Sequence, residues 1–197
     1  SLGASPRGAA SSSRKSATAQ PAMIFFKNLG VALGTVDQDG LERLKKDPAV
    51  ASVHATPRIS LIRPHRVAAA TLVRRATWGI AAMNVPNLWK QGLSGKGVLV
   101  GHLDTGADGR HPTLRKAIKL FADFDSFGRE KTPAPKPYDT ADHGTHTAAT
   151  IAGRAVKARH VGVAPKADLA SAIVIEGGNV VARVLGGFDW AIEHRVR

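Results

Sequence analysis

Two side chains in this sequence stand where acid–base chemistry could use them. Asp104 closes the apolar run Val98-Leu99-Val100-Gly101-His102-Leu103 and is followed by Thr105-Gly106, a glycine turn. His143 opens Gly144-Thr145-His146-Thr147-Ala148-Ala149, a helical pattern of small residues. The apolar run reads as a strand buried on both faces, as in a parallel sheet. Catalytic groups in open α/β sheets gather at the carboxyl ends of strands. His143, one strand–helix excursion later, is expected at the same rim as Asp104. A buried carboxylate there can hold an imidazole in one tautomer and stabilise its charged form, which a serine nucleophile needs from its base.

Other chemistries fit less of the pattern. Asp-Thr-Gly also marks aspartic proteases, but these need two carboxylates sharing a proton, and this chain holds a single Asp-Thr-Gly. His143 and His146 could ligate zinc, yet the glutamate of His-Glu-x-x-His is missing and a three-residue spacing suits two ligands on one helix face poorly. The plain alternative for Asp104 and His143 is a capped turn and a capped helix. His102, His111 and His146 are expected to be packing or hydrogen-bonding histidines.

The elements that must position the pair can be read on either side of it. Val85-Pro86-Asn87-Leu88-Trp89-Lys90 suits a short helix with proline in its first turn, and Gly92 to Gly97 is a turn feeding the Val98 strand. Residues 125–140 are a polar surface excursion. Asp142 is placed to cap the His143 helix. Gly162-Val163-Ala164-Pro165 leads into a further strand that runs to about Ile175. A last helix, Val180 to about His194, carries Val181, Val184, Leu185, Phe188 and Ile192 at helical spacing, with Trp190 nearby; this stripe is expected to face the sheet.

Upstream the character changes. Residues 1–21 contain no acidic residue and one large aliphatic, a composition that reads as a disordered basic tail. In residues 22–62, Met23–Phe26 and Val31–Leu33 look like strand pieces. Asp37-Gln38-Asp39-Gly40 caps a short helix through Leu41, Leu44 and Lys45 that ends near Asp47-Pro48, and Val50–Val53 and Ile59–Ile62 read as further strands. Residues 63–77 form a basic linker with Arg63, Arg66, Arg74 and Arg75, the kind of segment where nicking concentrates.

The net charge is +13, and residues 1–90 hold 13 Lys and Arg against 4 Asp and Glu. The excess therefore lies mostly outside the candidate site. Few aromatics accompany it and no nucleic-acid motif appears, so it is expected to be solvated tail and linker charge, with neither nucleic acid nor membrane as partner. There is no cysteine, which excludes disulfides and thiolate metal sites.

Asp-Thr-Gly and His-Gly-Thr-His-Thr-Ala, in that order, resemble the aspartate and histidine motifs of the subtilisin-like serine proteases, the subtilases. The likeness runs from about Trp78 to the last residue and weakly back to Met23. It implies an α/β fold with a parallel sheet and helices on both faces, preceded by a small α+β propeptide-like segment at 22–62. Residues 78–197 would then be the amino-terminal half of a catalytic domain that hydrolyses polypeptides. Asp104 would orient His143, and His143 would serve a serine further on. Glu176-Gly177-Gly178-Asn179 corresponds to the edge where subtilases pair with an extended substrate, making Gly177 and Gly178 the candidate substrate-binding residues. The family also suggests an extracellular setting.

Two departures matter. Where many subtilases have His-Pro-Asp-Leu, with that aspartate binding calcium, this chain has His111-Pro112-Thr113-Leu114; the loop Arg154 to His160 is basic rather than asparagine-rich. That calcium site is expected to be absent, and no other metal or cofactor is implied. None of Ser94, Ser126 or Ser171 lies in a nucleophile motif, and no oxyanion asparagine is evident. These residues alone are expected to be inert, requiring a carboxy-terminal remainder that carries both groups. The rival readings are an inactive protease-like scaffold and an inhibitory module acting through residues 22–62.

Overall fold

The structure, a computed structural model, describes residues 23–57, 59 and 76–196. At the amino end two four-residue strands, β1 (Met23–Phe26) and β2 (Val31–Gly34), form an antiparallel hairpin with Met23 opposite Gly34 and Phe26 opposite Val31. Asp37 caps α1 (Gln38–Lys46), its carboxylate accepting from the Gly40 N–H at 2.7 Å. Asp39 in the first turn and Arg43, Lys45 and Lys46 in the last complement the helix dipole.

The strand expected at Val50–Val53 does not form. Asp47 organises a turn instead, accepting from the N–H groups of Ala49 and Val50, and residues 51–57 have no regular structure. The hairpin offers them no ladder, and a lone apolar run cannot satisfy its own backbone groups. Ile59 is likewise outside any strand. Residues 60–62, the tail at 1–21 and the four linker arginines lie outside the described residues.

Two short helices, α2 (Trp78–Ala82) and α3 (Val85–Lys90), precede the sheet, and Pro86 sits in the first turn of α3 as expected. Then come β3 (Leu99–Asp104), β4 (Ile118–Asp123), α4 (His143–Ala152), β5 (Asp168–Ile173) and α5 (Val180–Glu193). The strands form one sheet in the order β3-β5-β4, with both neighbours of β5 running parallel to it. This is an α/β fold with helices on both faces. Asp104 and Asp123 both pair with Ile173, so the three strands end at one rim.

On the α4 face Ala107, Leu114, Ala117, Ala148, Ala152, Ala167 and Leu169 make a core dominated by alanine. On the other face Ala122, Phe124, Ala170, Ala172, Val174, Trp190 and Ala191 pack with α5. The large-residue stripe predicted for α5 is corrected here. Phe188 and Ile192 are each 50% exposed, whereas Ala182, Gly186, Gly187, Trp190 and Ala191 are buried. The reason is how close the helix lies: a Cβ on Gly187 would stand 2.5 Å from Val174 Cγ1, and one on Gly186 would meet the Gly128 carbonyl. Small residues and Trp190 make the contact, Val184 of the predicted stripe packs against it, and Phe188 and Ile192 face outward.

The hairpin rests on the outer side of this helix. Asp189 of α5 accepts from the N–H groups of Asn28 and Leu29 at 2.6 and 3.1 Å, and Lys27 pairs with Glu193 at 3.2 Å. Phe26 is buried.

Candidate active site

The two residues singled out in the sequence meet. His143 Nδ1 lies 2.8 Å from Asp104 Oδ1 and 2.9 Å from Oδ2, although 39 positions separate them. Asp104 is 7% exposed, while the His143 side chain keeps 30% of its surface. With Nδ1 directed at the carboxylate, Nε2 is the ring nitrogen left to exchange a proton with anything in the cleft.

Close backbone approach makes this possible. Asp104 is the last residue of β3, and the chain then turns through Gly106 at φ 106°, a conformation that favours glycine. Gly144, the first residue after His143, lies against that turn: a Cβ there would run into the Gly106 carbonyl. The Asp-Thr-Gly and His-Gly motifs are thus two halves of one contact. Each glycine lets its own segment come near enough for the neighbouring side chains to bond.

The start of α4 is not capped as expected. Asp142 makes no side-chain cap bond. Asp139 accepts from the Thr145 N–H at 2.6 Å, and Thr105 Oγ1 accepts from the Gly144 N–H at 2.9 Å. Thr105 in turn donates to Asp139 at 2.7 Å. Asp142 already has helical backbone angles (φ −93°, ψ −13°), whereas a side-chain cap needs an extended residue. Sequence reasoning missed Asp139 because it caps from three residues further upstream, through tertiary contact with Thr105.

Asp104 is held as an anion. Burial alone would raise its carboxyl, but hydrogen bonds from His143, the Thr105 N–H (2.7 Å) and Thr147 Oγ1 (3.0 Å) outweigh that and hold it below the ordinary value of 3.8. Beneath it on β3, His102 is 4% exposed, and burial pushes its imidazole below the usual range against the pull of Asp104 and Asp139. The sequence reading gave His102 as an ordinary packing or hydrogen-bonding histidine, and it is both. Its one sequence signal is a titratable residue inside an apolar run.

Gly177 and Gly178 lie just past the β5 end of the same rim, in an exposed bend with φ of 29° and 68°. Neither pairs with a strand among the described residues. The strand β4, which the sequence reading did not pick out, supplies Asp123 to this rim, where it bonds Lys131, Tyr138 and Arg183.

The residues beside Thr113 do not suit calcium. Thr113 Oγ1 is engaged with His111 Nδ1 at 2.8 Å. The Arg154 guanidinium donates to the carbonyls of Pro165 and Ala167 and to Asp168 Oδ1 at 2.7 Å. A fixed cation therefore takes up the nearby carbonyl and carboxylate oxygens, while calcium needs six or more such ligands. Among the described residues no group of three or more His, Cys, Asp or Glu is placed to hold a metal ion, His143 and His146 included.

Comparison with known proteins adds the family. The subtilase family model matches residues 95–197, slightly more than half of the chain. Subtilisin E of Bacillus subtilis is 33% identical over 174 residues, covering 87% of this chain and 41% of its own length. A thermostable alkaline protease of Halalkalibacterium halodurans is 32% identical, covering 87% of this chain and 42% of its own. The crystal structure of fervidolysin from Fervidobacterium pennivorans, a keratinolytic enzyme related to subtilisin, aligns at 30% identity and a TM-score of 0.45, over 59% of this chain and 18% of its own. The chain thus spans about two fifths of the length of the curated relatives it matches.

Proposed function

This chain belongs to the subtilase family, and on that premise we propose that it supplies the acid–base pair of a serine endopeptidase. The observation that carries the proposal is the 2.8 Å bond between His143 Nδ1 and Asp104. In this reading His143 Nε2 takes the proton of a serine hydroxyl as that oxygen attacks a peptide carbonyl. It then returns the proton to the leaving amine, and the acyl-enzyme is hydrolysed by water along the same route. Asp104 keeps the ring in the Nδ1–H tautomer and stabilises the imidazolium that forms. The serine and the oxyanion asparagine are expected from a carboxy-terminal remainder of the protease.

The substrate class is an extended polypeptide. Gly177 and Gly178 are exposed beside the catalytic rim and are proposed to pair with a substrate strand. The test is hydrolysis of a peptide by the complete protease. Asp104→Asn is expected to lower kcat by about 10⁴, the size of loss seen when this carboxylate is removed from related triads, and His143→Ala by at least as much. Undiminished turnover in either variant would refute the roles.

Residues 22–62 read best as a propeptide-like module, its hairpin seated on the protease half. Support comes from the hairpin's hold on Asp189 and Glu193 and from the burial of Phe26. A mature protein starting after residue 62 is expected by terminal sequencing, and a start upstream of Arg63 would remove the idea. Family membership does not assign a compartment: a relative 36% identical over 124 residues is named the major intracellular serine protease of Bacillus subtilis. Among the described residues, no helix is long and apolar enough to cross a membrane.

A further inference from the structure

The core under α4 is mostly alanine, leucine and isoleucine, yet three polar side chains from three elements meet inside it. His102 of β3 is the register partner of Ser171 of β5, and its Nδ1 lies 2.9 Å from Ser171 Oγ. Its Nε2 lies 2.9 Å from Thr147 Oγ1 of α4, and that hydroxyl lies 3.0 Å from Asp104 Oδ2. Ser171 is 0% and His102 4% exposed. Buried polar groups cost several kcal/mol unless paired, and here every one is paired. A core of this shape could be filled with aliphatic side chains, so the polar set calls for a reason.

We propose that His102 is a positioning residue for the dyad, a neutral imidazole that acts through Thr147 to hold one carboxylate oxygen of Asp104 in place. The proposal deepens the protease reading above and takes its functional meaning from it.

The direction of each bond follows from proton counting. The Thr147 hydroxyl has three acceptors in reach, Asp104 Oδ2 at 3.0 Å and the Gly144 and His143 carbonyls at 3.1 and 3.2 Å; Asp104 is ionised, so Oδ2 is the strongest of them and takes the hydrogen. A hydroxyl has one hydrogen, so towards His102 Thr147 can only accept, and the Nε2 of His102 must carry a proton. A neutral ring then leaves Nδ1 bare, and Ser171 donates to it. All three bonds point towards Asp104: Ser171 to His102, His102 to Thr147, Thr147 to the carboxylate. Such aligned bonds polarise one another. Charge agrees with this arrangement. The groups facing His102 are Asp104 on its own strand, Asp139 in the preceding loop and His143 on α4, with neutral Ser171 and Thr147 in direct contact. Burial outweighs the two carboxylates, and the ring is held neutral.

The mechanical consequence concerns His143. Asp104 Oδ1 is pinned by the Thr105 N–H, and the relay pins Oδ2, so the carboxylate plane is fixed before the imidazole docks on it. Fixing a catalytic group in advance moves its ordering cost out of the chemical step.

The test is imidazole ¹H–¹⁵N NMR of the histidine-labelled protein at neutral pH, with kinetics on the complete protease. In the unaltered protein His102 is expected to carry its proton on Nε2 and none on Nδ1, a result that needs no variant. Thr147→Val keeps the shape and removes the donor. Asp104 then becomes the stronger acceptor, so the His143 Nδ1 proton moves downfield and kcat falls about tenfold with KM unchanged, the equivalent of one hydrogen bond. Ser171→Ala shifts the same proton in the same direction by less. A proton on His102 Nδ1, or an unmoved His143 proton in both variants with folded spectra, would overturn the relay. Failure of the complete protein to hydrolyse peptides would instead defeat the protease reading and leave the NMR result standing.

Discussion

The two faces of the β3-β5-β4 sheet are built from the same small residues to different ends. The α5 face is apolar: alanines, two glycines and Trp190 pack against Ala170, Ala172 and Val174. The α4 face starts from an equally small set, yet towards the strands' carboxyl ends it turns polar, with Asp104, Thr105, His102, Ser171 and Thr147 bonded to one another. Close packing therefore does different work on each side. Against α5 it excludes water and holds the sheet. Against α4 it brings two backbone turns together so that a carboxylate and an imidazole meet.

A matched pair of glycine substitutions should break that comparison first. Gly144→Ala places a methyl group against the backbone carbonyl of Gly106, which cannot swing aside. A loss of about 3 kcal/mol is expected, the upper end for overpacking, together with disruption of the His143–Asp104 bond. Gly187→Ala on the α5 face meets the ends of the Val174 and Leu103 side chains instead. Side chains yield more readily than backbone, so about 1–2 kcal/mol is expected with the dyad intact. Urea unfolding of both variants, read with the His143 ring signals, checks the contrast. Equal effects on the dyad would mean that the two faces are not divided as described.

A smaller effect should appear in acid. The folded-state carboxyl of Asp104 is held below its ordinary value of 3.8. Its ionised form therefore stabilises the fold above that value, and the contribution is lost as pH falls through the lowered folded value. The stability gap between the native protein and Asp104→Asn is expected to close progressively below pH 3.8. A gap that stays constant into acid would show that the carboxylate contributes no ionisation-linked stability.

The parts of this arrangement that local sequence controls were legible in advance. The strand that ends at Asp104, a capped helix after Val36, the His143 helix and the Asp104–His143 meeting all follow from periodicity, capping chemistry and motif order. The parts set by tertiary contact were not. Asp142 precedes the helix and looks like its cap, but Asp139 does the capping because Thr105 holds it there. The large residues of α5 promised a core stripe, but Gly186 and Gly187 let the opposite flank come closer. Val50–Val53 has strand composition and no partner strand among the described residues. His102 carried a signal too weak to interpret alone, since its role depends on Ser171 and Thr147, 69 and 45 positions away.

The central claim is that Asp104 fixes the His143 ring in the tautomer a general base requires. The most direct measurement is imidazole ¹H–¹⁵N NMR of His143 at neutral pH. The account predicts a strongly deshielded proton on Nδ1 that loses its deshielding in Asp104→Ala. A His143 ring with its proton on Nε2 and a bare Nδ1 would contradict it.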